Sequence, residues 1–218
     1  MLKPEARWLA RQLQSMDVAR VSPLLNVGSS TRYFREVQQP WIHRELFAPW
    51  QSRGGQVIHQ DLKPEQGVDV VGSLTDPQCR SRLGALGIRS VCCTSVLEHV
   101  PDREDFARQV AGLVAPGGVL LVTVPHAFPW HPDPIDTMFR PTVTEVAALF
   151  PDLRLVAGDV VPCGTLWHLV AADLPRAMKR LIRPEQGTGA GPRESLTQWL
   201  WPWLVRPFEV TCAVFERA

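Results

Sequence analysis

The sequence predicts an α/β fold: a doubly wound, mainly parallel seven-stranded sheet with helices on both faces. Three observations lead to it. Apolar runs of strand length alternate with helical patterns five times along the chain. Two of the runs, around Val91-Cys92-Cys93 and from Val119 to Val124, are apolar with little alternation, the pattern of strands buried on both faces. Glycine, proline and aspartate punctuate the ends of these runs, as turns and helix caps require.

The elements follow in order. "MLKPEARWLARQLQSM" sets Trp8, Leu9, Leu13 and Met16 at helical spacing, an amphipathic N-terminal helix within 1–22. It lacks the continuous apolar core of a secretory signal, so none is expected. Residues 23–28 read as a short buried strand. A long stretch, 31–52, is expected to be helical but broken near Pro40. "QVIHQDL" gives a second strand ending at Asp61, and "GVDVVGSLTD" a third, short one. Asp76-Pro77 starts a helix over 77–86, with proline suited to the first helical position.

A fourth strand spans about 89–95. The helix after it places Phe106, Val110, Leu113 and Val114 on one face, with Asp102 as its cap and Pro116-Gly117-Gly118 as its stop. The fifth strand leads into a Pro/His/Asp loop over 125–141. Thr142 and Glu145 form a capping box for a helix over 143–150. "LRLVAGDVV" is a sixth strand and "FEVTCAVFER" a seventh, whose alternation suits an antiparallel edge or its neighbour. Between them a helix is expected near 173–183, then a Gly/Pro loop at 184–193 and the segment holding Trp199, Trp201 and Trp203.

A chain of 218 residues fits one domain, here 23–218 with a Trp-rich decoration at about 164–207. Apolar content of 45% and charged content of 21% are ordinary for a soluble globular protein. The net charge of +1 gives no reason to expect a nucleic-acid partner, which would need a concentrated basic patch. No apolar run reaches the length of a membrane span. The N-terminal helix has packing on the domain as its plain use and membrane-surface binding as the alternative; the Trp segment is expected to bury against the sheet as a lid or homodimer contact, with an apolar substrate wall or a membrane-facing patch as the alternative. The five cysteines show no CxxC pair and no zinc spacing, which fits reduced, structural thiols in a cytoplasmic protein.

In such a sheet ligands bind beyond the carboxyl ends of the strands, so the residues at those tips carry the functional reading. They are Val27-Gly28-Ser29-Ser30, Asp61-Leu62, Ser73-Leu74, Thr94-Ser95 and Pro125-His126. A carboxylate at a strand tip, Asp61, can accept two hydrogen bonds from a ribose diol or simply cap its turn. A nicotinamide dinucleotide fits poorly, because G-S-S-T-R-Y lacks the glycines that bring backbone N–H groups onto a pyrophosphate.

"LLNVGSS", "QDL", "CTSVLEHVPD" and "VAPGGVLLVTVP" resemble, in order and context, the class I S-adenosylmethionine-dependent methyltransferases. The resemblance covers roughly residues 24–160, and the loop "PHAFPWHPDPIDTMFRPTVTEV" looks like that of a bacterial subgroup of this family. It implies a Rossmann-like methyltransferase fold, S-adenosylmethionine as cofactor, and methyl transfer to oxygen of a small-molecule or glycan-type acceptor. By the family pattern the turn Val27, Gly28, Ser29 and Ser30 takes the aminoacyl part of the cofactor and Asp61 holds its ribose. Leu62 and Leu74 flank the adenine, Ser73 stands beside Leu74, and Thr94 and Ser95 line the cofactor from the fourth strand. Two positions depart from the pattern: Ser30 stands where a second glycine is usual, and Asn26 where an acid is common. The same fold kept as a non-catalytic binding or scaffold protein is the alternative.

Transfer to a hydroxyl needs a base, and His99, His126 and His131 are the candidates, because imidazole titrates near neutral pH. Asp136 and Arg140 share the loop after the fifth strand, where Arg140 could grip an anionic substrate. His126, His131, Asp133 and Asp136 could instead hold a metal, or the four prolines could simply fix a rigid loop; the adopted reading assigns no metal. Trp41 and Trp50 are expected near the cofactor mouth.

Overall fold

In a computed structural model, residues 1–131, 135–167 and 201–218 are described. The expected helix near 173–183, the Gly/Pro loop at 184–193, Asp133 and Trp199 lie outside them.

Seven strands form one sheet: β1 (Leu24–Val27), β2 (Val57–Asp61), β3 (Val70–Val71), β4 (Ser90–Thr94), β5 (Val119–Ala127), β6 (Arg154–Pro162) and β7 (Glu209–Glu216). Their order is β3-β2-β1-β4-β5-β7-β6. The strands from β3 to β5 pair in parallel, whereas β7 is antiparallel to both β5 and β6. The chain builds outward from β1 to β3, then crosses back to place β4 on the other side of β1. That reversal is the switch point at which open α/β sheets bind ligands.

Each face of the sheet is sealed by its own apolar cluster. On one face α4 (Pro77–Ala85), α5 (Arg103–Gly112) and α6 (Val143–Ala148) cover Leu25, Val91, Leu120 and Val122, with Leu83, Val110 and Val146 fully buried. On the other, α1 (Lys3–Gln14), the short α2 (Val18–Val21) and α3 (Ala48–Ser52) cover Leu24, Cys92, Leu121 and Val214. The stripe Trp8, Leu9 and Leu13 buries here, and Trp8 Nε1 donates to Asp159 Oδ2 at 2.7 Å, docking α1 across β6. Trp50 belongs to this cluster at 1% exposure, so it is core packing rather than the wall of a cleft. Trp41 donates to the carbonyl of Met1.

The expected caps are in place: Asp76 accepts from Gln78 N, Asp102 from Asp105 N, and Thr142 forms its box with Glu145. The stretch after β1 is helical and broken at Pro40, in two π-type turns, Phe34–Gln38 and Ile42–Phe47, that continue into α3. One boundary moves. The fifth strand runs on through Pro125 and His126 to Ala127, paired to β7 across a bulge. Pairing of β4 with β5 stops at Thr94–Thr123, so the missing N–H of Pro125 falls where one side of β5 is already without a strand partner. His126 is therefore a strand residue, not a loop residue.

All five cysteines are buried and unpaired. Burial pushes the Cys92 and Cys163 thiols up to about 12, so neither is a nucleophile near neutral pH. No described helix is long and apolar enough to cross a membrane.

Candidate active site

The carboxyl ends of β2, β1 and β4 lie side by side at the switch point of the sheet. Gly28 follows β1 with φ +63°, and a Cβ there would lie 2.7 Å from Val96 Cγ2, so only a bare backbone lets the turn approach the segment after β4. Ser29 N donates to Gln60 O at 2.9 Å, extending the β1–β2 pairing one step beyond the strand. Ser30 takes the left-handed conformation, φ 53°, and its N–H donates to Asp61 Oδ2 at 2.8 Å. Asp61 Oδ1 accepts from Lys63 N at 3.2 Å. The turn at residue 28 and the carboxylate at residue 61 thus share one side of the sheet and are joined directly.

Sequence reasoning missed the residue that holds this turn. Arg35 is 4% exposed. It donates from one nitrogen to the carbonyls of Ser29 (2.9 Å) and Ser30 (2.6 Å), and from another to Gly67 O at 2.7 Å. Burial pulls its pKa down, yet a guanidinium starts so high that it stays charged. A signal was available: Thr31 Oγ1 accepts from Phe34 N, starting a helical turn that swings the residue four positions after Thr31 back over the loop.

The departure at Asn26 also has a partner. The residue is 4% exposed, and its amide nitrogen lies 3.1 Å from His59 Nδ1 on the neighbouring strand. An amide nitrogen only donates, so Nδ1 is the unprotonated ring nitrogen. Burial, then the nearby Arg35 charge, holds His59 down at about 4, against the opposing pull of Asp69. An uncharged side chain at residue 26 suits a histidine kept neutral.

The other tip residues divide. Val27 and Leu74 are core residues at 2% exposure, whereas Leu62 is 67% exposed. Ser73 pairs with Thr75 through hydroxyls 2.7 Å apart. Thr94 ends β4, and Ser95, at φ 52°, donates its N–H to Thr123 O, turning the chain into Leu97–His99 over the sheet edge.

The loop after β5 folds back on that turn. Thr137 donates through both N and Oγ1 to Glu98 O at 2.9 Å, and Arg103 lies over the Phe139 ring. Asp136, its side chain wholly buried, accepts both guanidinium nitrogens of Arg140, at 3.0 and 2.6 Å, and the N–H groups of His131 and Met138. Burial alone would raise its pKa, but these donors, Arg140 above all, bring it down to about 2. Arg140 spends its remaining donors on the carbonyls of Phe128, Pro129 and Phe139. The pair named as substrate contacts is engaged within the loop and fixes its shape.

The three candidate histidines separate. His126 places Nδ1 2.9 Å from Pro141 O, beside Thr211. His99 and His131 meet edge to face with ring centroids 5.1 Å apart. Beside them is Glu98, 1% exposed, whose carboxyl is pushed up to about 7 by burial. Sequence reading passed over Glu98, because its burial depends on a loop some forty residues later folding across it. Trp203 stacks on Phe208 at 5.2 Å and is 8% exposed, and Phe128 joins them in packing against the α1 side of the core.

No protein-family model and no curated protein matches this chain. Solved structures do. A candidate sarcosine dimethylglycine methyltransferase from Galdieria sulphuraria superposes with a TM-score of 0.61 at 13% identity, covering 98% of this chain and 84% of its own. An S-adenosylmethionine-dependent methyltransferase from Anabaena variabilis gives 0.55 at 10% identity, over 96% and 82% of the two chains. A coclaurine N-methyltransferase solved with N-methylheliamine and S-adenosylhomocysteine gives 0.53 at 10%, over 97% and 69%. At such identities the likeness is one of fold: this chain has the class I methyltransferase fold.

Proposed function

We propose that the protein is an S-adenosylmethionine-dependent methyltransferase that methylates oxygen of a small-molecule or glycan-type acceptor. The observation that carries the proposal is the join of the β1 turn to Asp61 at the switch point of the sheet, through the Ser30 N–H. The residues fit the cofactor. Gly28 bares backbone where a Cβ would meet Val96, and each Asp61 oxygen accepts one backbone N–H, leaving lone pairs for a ribose diol. Leu62, exposed next to Asp61, offers an apolar surface to an adenine.

The cofactor supplies a methyl group already activated on a sulfonium. The chain's own task is to align the acceptor, exclude water and remove the acceptor proton. The Glu98, His99 and His131 cluster, between the β4 tip and the loop after β5, is the place where that proton leaves. Asp136 and Arg140 serve as positioning residues, holding the loop that carries His131. Titration calorimetry with S-adenosylmethionine and S-adenosylhomocysteine tests the reading: binding of either is expected, and no heat at millimolar concentration rejects it.

A second reading has its own observation. Ser30 adds a side chain in a left-handed turn where the family bares a glycine, and Asn26 brings no charge. Those features fit a non-catalytic member that keeps the fold as a binding or scaffold module. Cofactor retained through purification would dismiss it.

A further inference from the structure

We infer that Glu98, His99 and His131 form a binding site for a divalent first-row transition cation. One ligand atom from each lies within 4.8 Å of the other two. The residues come from two segments, two from the turn after β4 and one from the loop after β5, and local sequence does not bring them together.

Unspent donor atoms point to a ligand. Glu98 Oε2 is buried with no hydrogen-bond partner among the described residues, and an orphaned buried carboxylate oxygen costs stability unless something completes it. His131 Nδ1 is likewise buried without a hydrogen bond, and the nearest carboxylate, Asp136 Oδ2 at 3.0 Å, could form an ion pair with it only when the ring is protonated. His99 has its Nδ1 2.6 Å from the carbonyl of Ile135, which only accepts, so Nδ1 carries the proton and Nε2 presents a lone pair 3.8 Å from Glu98 Oε1. A backbone carbonyl behind one ring nitrogen and a free lone pair on the other is how a metal-ligating histidine is held.

The spacing suits a cation that draws its ligands in. Donors about 2.1 Å from one ion lie roughly 3.0–3.5 Å apart, so each side chain needs to move less than about an ångström. Two imidazoles and one carboxylate favour zinc, iron or cobalt over magnesium or calcium, which prefer all-oxygen sets. Two positive charges act on Glu98, Arg140 and the N-terminal amine, and Arg140 is already neutralised by Asp136. Three protein ligands leave a coordination position open. On the methyltransferase reading, and resting on it, that position would take the acceptor hydroxyl and lower its pKa, so that its proton passes to solvent water rather than to a free imidazole and the oxygen bonds the methyl carbon as the carbon–sulfur bond breaks.

The test uses the full chain stripped with chelator, then titrated with Co2+ by visible absorption and with Zn2+ by calorimetry. One equivalent is expected to bind with micromolar or tighter affinity, without the charge-transfer band of a thiolate ligand. Glu98→Gln and His131→Asn should each weaken binding at least 50-fold, and His43→Asn should leave it unchanged. Absence of binding by either ion overturns the inference, as does a thiolate band or affinity unaltered in both site variants. Should Glu98→Gln fail to fold, His131→Asn carries the test alone. A parallel titration with S-adenosylhomocysteine separates the two ideas. Cation binding without it removes the methyltransferase reading alone, and the reverse removes the cation site alone.

Discussion

Acid should unfold this protein through His59. The ring is held at about 4, against 6.5 for an unburied imidazole, because burial and the Arg35 charge disfavour its cationic form. Since the folded value is depressed, the unfolded chain takes up the proton first, and stability falls as pH drops from about 6.5 to about 4; above that window both states are neutral and the effect vanishes. The gap corresponds to about 3 kcal/mol in full, and about 2.5 kcal/mol of it should appear between pH 7 and pH 4.5. Urea unfolding at those two pH values, for the native chain and for His59→Gln, isolates the contribution. The native chain should lose about 2.5 kcal/mol more than the variant. Asn26→Asp supplies the converse: a carboxylate about 3.1 Å from the ring would favour the imidazolium, raise the His59 pKa and flatten the slope. Equal pH dependence in native and His59→Gln proteins, or a His59 ring proton titrating by NMR near 6.5, would refute the reasoning.

Other expectations concern the β1 turn. Gly28→Ala should destabilise by about 1–2 kcal/mol from the left-handed backbone alone, and by more from the 2.7 Å approach to Val96. Val96→Ala in the same chain should restore only the second part, as read from urea midpoints. Arg35→Met leaves three carbonyls without their donor and should cost on the order of 3 kcal/mol, seen as a fall in thermal midpoint of roughly 6–12 °C. Asp61→Ala should weaken S-adenosylhomocysteine more than tenfold by calorimetry while the protein remains folded by circular dichroism. Unchanged affinity would mean that Asp61 only ties down the turn.

The frame was readable because its signals are local. Unbroken apolar runs marked β4 and β5, cap residues marked where α4, α5 and α6 begin, and the tips after β1 and β2 carried their chemistry in adjacent positions. What escaped depends on contacts distant in sequence. His126 looked like a loop residue because Pro125 precedes it; only the partner strand β7, contributed by the end of the chain, shows that the strand continues. Asp136 and Arg140 looked available to a substrate, since nothing local says that each is the other's partner four residues away. Arg35, inside the stretch 31–52, and Glu98, inside "CTSVLEHVPD", carried no assigned role. Both gain their meaning from carbonyls and loops that other segments bring to them.

The end of β6 and the start of β7 hold one more consequence. Cys163 N donates to Phe208 O, and Phe208 N to Gly164 O, so the chain leaves and re-enters the sheet through a hydrogen-bonded neck at the edge that carries Gly28 and Asp61. With its two ends pinned side by side, the intervening stretch can change length at little entropic cost to the frame, since closing a loop depends only weakly on how long it is. The seven-stranded sheet therefore keeps its frame whatever length of chain joins these two ends.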